Sequence, residues 1–191
     1  MGPVRRRGDH VRVTLDRTEA DLLASLVGQV RALLGEGTPA DPQPRDADPI
    51  DLLEASLGNP PSRPEGPILE RLLPDGYRDD PEAAGEFRRL TDADLRATKR
   101  EALDQVRRDI EAAESSPRGR RIIVDLDEPR TTQWLHALAD VRLALGVRLG
   151  VSEDTRFALD DLTEDPALAA ELALYDWLTW LQDAVVRQAP V

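Results

Sequence analysis

The side chains that most often do chemistry are scarce in this sequence: there are two histidines, His10 and His136, and no cysteine. Neither histidine has a second His, Cys or acid at a spacing that a transition metal uses, so each reads as a structural or surface residue rather than a ligand. The six serines stand in no nucleophile elbow, and neither a phosphate-cradling P-loop nor a G-x-G-x-x-G turn is present. Glu153-Asp154, Asp160-Asp161 and Glu164-Asp165 place carboxylates close together, as a hard cation would require. They lack the alternating acids and central glycine of a calcium loop, however, and 37 acidic residues guarantee pairs by chance. The expectation is therefore a protein without catalytic residues, cofactor or metal. A metal-dependent enzyme built on this acidic loop is the alternative.

Two segments carry more information than the titratable groups. Leu72-Leu73-Pro74-Asp75-Gly76-Tyr77-Arg78-Asp79-Asp80-Pro81-Glu82 is dense with turn and helix-capping signals around a single aromatic. It is either a connector anchored by Tyr77 or an ordered recognition loop. Tyr175-Asp176-Trp177-Leu178-Thr179-Trp180-Leu181-Gln182 puts three aromatics on one helix of a chain that is 4% aromatic. Trp177 and Trp180 are three apart and share a face, while Tyr175 points elsewhere. That face is either core or a surface for self-association, since Trp and Tyr are the favoured anchors of interfaces. Leu73, Tyr77, Arg78, Trp177 and Trp180 are accordingly the candidate partner-binding residues.

The elements that must position these residues are mostly helices. Val11, Val13 and Leu15 alternate with Arg12 and Thr14, the period of a half-buried strand. Arg121–Leu126 is β-branched and predicts a second strand. The two are expected to pair, because a lone strand leaves its backbone groups unsatisfied. After the first strand, Thr18 and Asp21 have capping-box spacing, and an apolar stripe runs from Leu22 to Leu34 until Gly35 and Gly37 end it. Residues 36–48 hold three prolines and four acids without an apolar stripe, which predicts a mobile loop. A short helix over Ile50–Leu57 and another apolar segment, Ile68 to Leu73, follow.

Asp80-Pro81-Glu82 opens a helix on which Phe87 and Leu90 are expected to pack inward. Thr91 and Asp94 suggest a fresh capping box, starting a helix that runs to about Glu114. One face of it carries Leu95, Ala102, Val106, Ile110 and Ala113. The opposite face carries Lys99, Arg100, Asp104, Arg107, Arg108 and Glu111, with Asp104 and Arg108 in i,i+4 pairing, and is expected to be solvated. The segment from Trp134 to Leu149 is apolar almost all round, as a central helix is. Ser152–Asp165 reads as an acidic connector, and Asp165-Pro166 opens the last helix. The fold class is mainly α: a single helical domain over 1–191 with a minimal two-stranded β-sheet, strands near 11–15 and 121–126, and the last two helices as its core.

The totals narrow the classes of function. The formal net charge of −12 is wrong for nonspecific nucleic-acid binding, which needs basic surface to displace counterions. Arg5-Arg6-Arg7 is the one basic cluster, and at a terminus it reads as an unstructured, solubilising tail. No apolar run reaches a bilayer span or forms a secretory signal, so neither nucleic acid nor membrane is expected as a partner and the location is expected to be cytoplasmic. Disulfides and thiol redox switching are excluded for this chain.

Three blocks carry a family resemblance. Leu72 to Arg89, Leu138 to Gly150 and Tyr175 to Gln182 resemble, in order and spacing, the signature blocks of the actinobacterial AosR-like oxidative-stress regulators, formerly a domain of unknown function and often encoded beside the ClpS adaptor. The resemblance spans nearly the whole chain, although the matching strings are apolar and mark the family rather than a site. It implies a non-enzymatic, transcription-linked stress-response regulator that acts by protein contact with a sigma factor or RNA polymerase. An accessory factor of Clp-type proteolysis is the alternative that the gene neighbourhood implies. The apolar C-terminal helices suggest a homodimer, the commonest closed oligomer.

Overall fold

The computed structural model describes residues 4–35, 64–77, 79–115, 121–151 and 166–189. Its elements are β1 (Val4–Arg7), β2 (His10–Asp16), α1 (Arg17–Leu33), α2 (Pro67–Leu72), α3 (Pro81–Ala112), β3 (Glu114–Ser115), β4 (Arg121–Leu126), α4 (Glu128–Arg148) and α5 (Pro166–Gln188). The expected loop at 36–48, the expected helix at 50–57 and the acidic connector at 152–165 fall outside the described residues.

The fold is mainly α with a small sheet, and the two expected strands do pair. β2 and β4 run antiparallel, with Val11 opposite Leu126 and Asp16 opposite Arg121. The sheet has four strands rather than two, in the order β1-β2-β4-β3. β1 is the main addition. The arginine cluster read as an unstructured tail is a strand, turned back on β2 through Gly8, whose φ of 60° suits a tight two-residue hairpin turn. Three consecutive arginines hide this strand from a hydropathy reading. Only Val4 is buried, opposite Val13; Arg6 shares its face, opposite Val11, but remains exposed.

The hydrophobic alternation decides which face is covered. Val11, Val13 and Leu15 of β2 and Ile122, Val124 and Leu126 of β4 are buried beneath the helices. The other face carries Arg5, Arg7, Arg12, Thr14, Arg121, Ile123 and Asp125, all exposed or half-exposed. The outer edge of β1 is partly closed as well, since the Arg6 amide donates to Gln188 Oε1 of α5 at 3.0 Å.

Helix starts follow local chemistry, with one shift of register. The capping box of α1 is formed by Asp16 and Glu19, not by Thr18 and Asp21: Glu19 N donates to Asp16 Oδ1 at 2.8 Å, and Asp16 N donates to Glu19 Oε2 at 2.7 Å. The strand runs one residue further than its apolar alternation suggests, so the helix can start at Arg17. Asp80 Oδ1 accepts from Glu82 N and Ala83 N, and Asp127 Oδ1 accepts from Arg130 N. Thr91 and Asp94 start nothing. α3 runs unbroken through them, and the Thr91 hydroxyl donates back to Phe87 O, the mid-helix habit of threonine.

The core is one cluster centred on α4. Trp134, Leu138 and Val141 join Leu23 and Val27 of α1, Leu103 and Val106 of α3, and the inner sheet face. The last helix supplies Leu178, Leu181 and Val185. The expected two-helix core is thus shared with α1, α3 and the sheet.

The polar face of α3 is not simply solvated. Arg31 of α1 pairs with Asp104 at 2.6 Å, while Arg96 and Arg100 donate to Leu34 O and Gly35 O at the C-terminal end of α1. Such contacts satisfy carbonyls that a helix end leaves without partners. Lys99, the only lysine, pairs with buried Asp140 of α4 at 2.6 Å. Arg108 reaches Glu101 rather than Asp104.

Candidate protein-interaction surface

Because Arg96 and Arg100 sit at the end of α1, the stretch 81–95 of α3 runs roughly 22 Å past it at 1.5 Å per residue. The connector 73–77 folds against this protruding half-helix. Leu73 is its anchor, buried in the core. Asp75 accepts from Arg88 at 2.5 Å, pinning the turn to α3. At Gly76 a Cβ would lie 2.7 Å from Phe87 Cδ1, so the missing side chain is what lets the turn approach the ring. Tyr77 then meets Phe87 edge to face, centroids 5.9 Å apart and planes at 81°.

The result is an ordered aromatic patch that faces outward. Tyr77 is 52% exposed, Phe87 43% and Leu90 63%. Phe87 and Leu90 were expected to pack inward. They do not, because the helix they ride on has left α1 behind at this point. Their one sequence signal is the apolar i,i+3 pair itself, which looks the same on a buried face. Of the candidate residues in this segment, Leu73 is a core residue, Tyr77 is at the surface, and Arg78 lies outside the described residues.

The second aromatic segment is held by α4 instead. Arg142 donates to Thr179 Oγ1 at 3.1 Å and to Gln182 Oε1 at 2.7 Å, and its guanidinium lies 5.6 Å from the centre of the Tyr175 ring. Tyr175 packs beside Gly146, where a Cβ would come within 3.3 Å of the ring. Trp177 is half-buried against the core, and its buried Nε1 has no acceptor among the described residues. Trp180 turns out to solvent, 44% exposed, beside Val186 and over a shallow cleft of about 550 Å³ that Arg142, Thr179 and Asp183 help to line. The two tryptophans thus divide between core and surface.

His10 and His136 are both exposed. Among the described residues no three His, Cys, Asp or Glu side chains gather as a metal site would require, and no helix is long and apolar enough to cross a membrane. The best-connected buried acid, Asp109, is structural. It accepts from Arg130 at 2.5 Å, from Gln105 at 2.8 Å and from the Trp134 indole N–H at 2.8 Å, locking α3 to α4.

The profile of a family described as a domain of unknown function (DUF2017) matches residues 1–189. The oxidative stress regulator AosR of Mycobacterium bovis is 31% identical over 195 aligned positions, covering 95% of this chain and 83% of the relative. The protein of the same name from Mycobacterium tuberculosis matches with the same figures. No solved structure matches.

Proposed function

The chain belongs to the DUF2017 family, and from that membership and its AosR relatives we propose that it is a non-enzymatic, transcription-linked regulator acting by protein contact. The observation that carries the contact mode is the outward-facing cluster of Tyr77, Phe87 and Leu90, held rigid by the Asp75–Arg88 pair on a protruding helix. Pre-ordered aromatic and aliphatic side chains lose little entropy on docking, which is what an interface anchor requires. A stress sigma factor or RNA polymerase is the partner this reading expects. Without a cysteine, the chain has no thiol of its own to oxidise, so an oxidative signal reaches it through the partner or another ligand.

The test is affinity capture from the source lysate, followed by titration of the captured protein. The reading expects a sigma factor or polymerase subunit to be retained. Leu90→Asp and Tyr77→Ala should each weaken binding at least about tenfold, the loss of one interface anchor, with unchanged circular dichroism. Retention of Clp subunits instead, or full affinity in both variants, would refute it.

A further inference from the structure

We propose that the open face of the sheet is a second docking surface, independent of the regulator reading, and that it receives a short acidic polypeptide segment in extended conformation. The observation is a local reversal of charge. The chain has formal charge −12 and most of its arginines are engaged by acids or carbonyls, yet Arg7 and Arg121 have no hydrogen-bond or ion-pair partner among the described residues, although the charge of Arg7 is felt by Asp125. Both are exposed and both point to the uncovered face. Arg121 stands opposite Asp16 in the ladder, but the Asp16 carboxylate is committed to capping α1 and leaves the guanidinium free.

Between these two lie exposed His10 and the Arg5–Arg12 pair, with Arg12 bound to Asp125 through two hydrogen bonds of 2.7 and 2.6 Å. Arg7 and Arg121 are six ladder positions apart and two strands apart, roughly 20 Å along the strands and about 10 Å across them. An extended peptide of about seven residues spans that length, and acids at alternate positions recur every ~6.8 Å on one face of it.

The ligand is expected to cross the face rather than extend an edge, because Gln188 already occupies the Arg6 amide on the outer side of β1. A peptide fits better than a nucleic acid for two reasons. Apart from the His10 imidazole, the described residues of this face offer no aromatic ring on which a base could stack. The strongly acidic remainder of the molecule would repel a long polyanion, while a short segment can stay among the arginines of this face, where Asp125 is bound by Arg12 and Asp16 caps α1.

The test is fluorescence anisotropy with two labelled probes, an eight-residue peptide alternating glutamate with threonine and a ten-residue oligothymidylate. The proposal expects micromolar binding of the peptide that weakens with added salt. Arg7→Glu and Arg121→Glu should each weaken it at least about fivefold, as charge reversal at an interface does, and Arg71→Glu, at an exposed arginine off the sheet, less than about twofold. Arg71→Glu changes net charge equally, so an equal effect of all three would reduce the binding to bulk charge and overturn the proposal. Absence of peptide binding, or tighter binding of the oligonucleotide with the same dependence on Arg7 and Arg121, would also overturn it.

Discussion

Asp109 shows how much a single side chain can do without leaving a trace in the sequence. It lies among several acids on α3, and the partners that define it, Arg130 and Trp134, are 21 and 25 residues further on. Asp109→Asn keeps the shape but turns one acceptor into a donor facing other donors. We expect a loss of about 2–3 kcal/mol, the scale of breaking a buried charged hydrogen bond, read from urea denaturation. Asp125 is the contrasting case. The hydrogen bond from Arg12 lowers its pKa, partial burial opposes this, and the charges of Arg12, His10 and Arg7 add to the lowering. A depressed carboxylate contributes stability above its unfolded pKa and loses it as pH falls through the folded one. The group is 43% exposed, so the contribution is screened to about 1 kcal/mol or less. The stability difference between wild type and Asp125→Asn should therefore be small at neutral pH and vanish under acid conditions.

At the scale of elements, what could be read from the sequence was whatever depends on neighbours along the chain. The alternation of β2, the β-branched run of β4, the all-round apolar α4 and the caps Asp80 and Asp127 are local facts, and the structure repeats them. β1 was hidden because an edge strand needs only one inward residue. The polar face of α3 was misread because helical spacing cannot distinguish solvent from the end of another helix. Its outward Phe87 and Leu90 escaped for the same reason. Lys99 tests this directly. Removing it as Lys99→Met leaves Asp140, one of whose buried oxygens already lacks a partner among the described residues, as an uncompensated buried charge, at a cost of about 3 kcal/mol. Adding Asp140→Leu should restore most of that loss, and a thermal melt of the two variants distinguishes a charge effect from simple loss of packing.

The whole molecule is a layer of helices on one face of a small sheet, with an acidic exterior interrupted in two places by surfaces of other character. The Tyr77–Phe87–Leu90 patch and the sheet face lie on different elements, so regulation and peptide docking would be separable by mutation. Trp180 and Val186 on α5 add a further exposed apolar pair. If these serve self-association, light scattering at micromolar concentration should give a dimer mass that Trp180→Asp reduces to a monomer. A wild-type monomer would discard the homodimer expected from the C-terminal helices.

The ladder between β2 and β4 also governs the order of events in time. Arg12 and Asp125, which face each other across it, are 113 residues apart in the chain. A helical protein normally reaches its native state through contacts between near neighbours, but here the sheet under the core cannot close until most of the polypeptide has been made and brought round. Refolding should therefore be slow for so helical a protein, in milliseconds to seconds, as for domains ruled by distant pairings. Stopped-flow fluorescence of a Trp177→Phe, Trp180→Phe variant, in which Trp134 is the single tryptophan left, would register it. During synthesis, the N-terminal hairpin would wait, uncovered, for β4 to emerge.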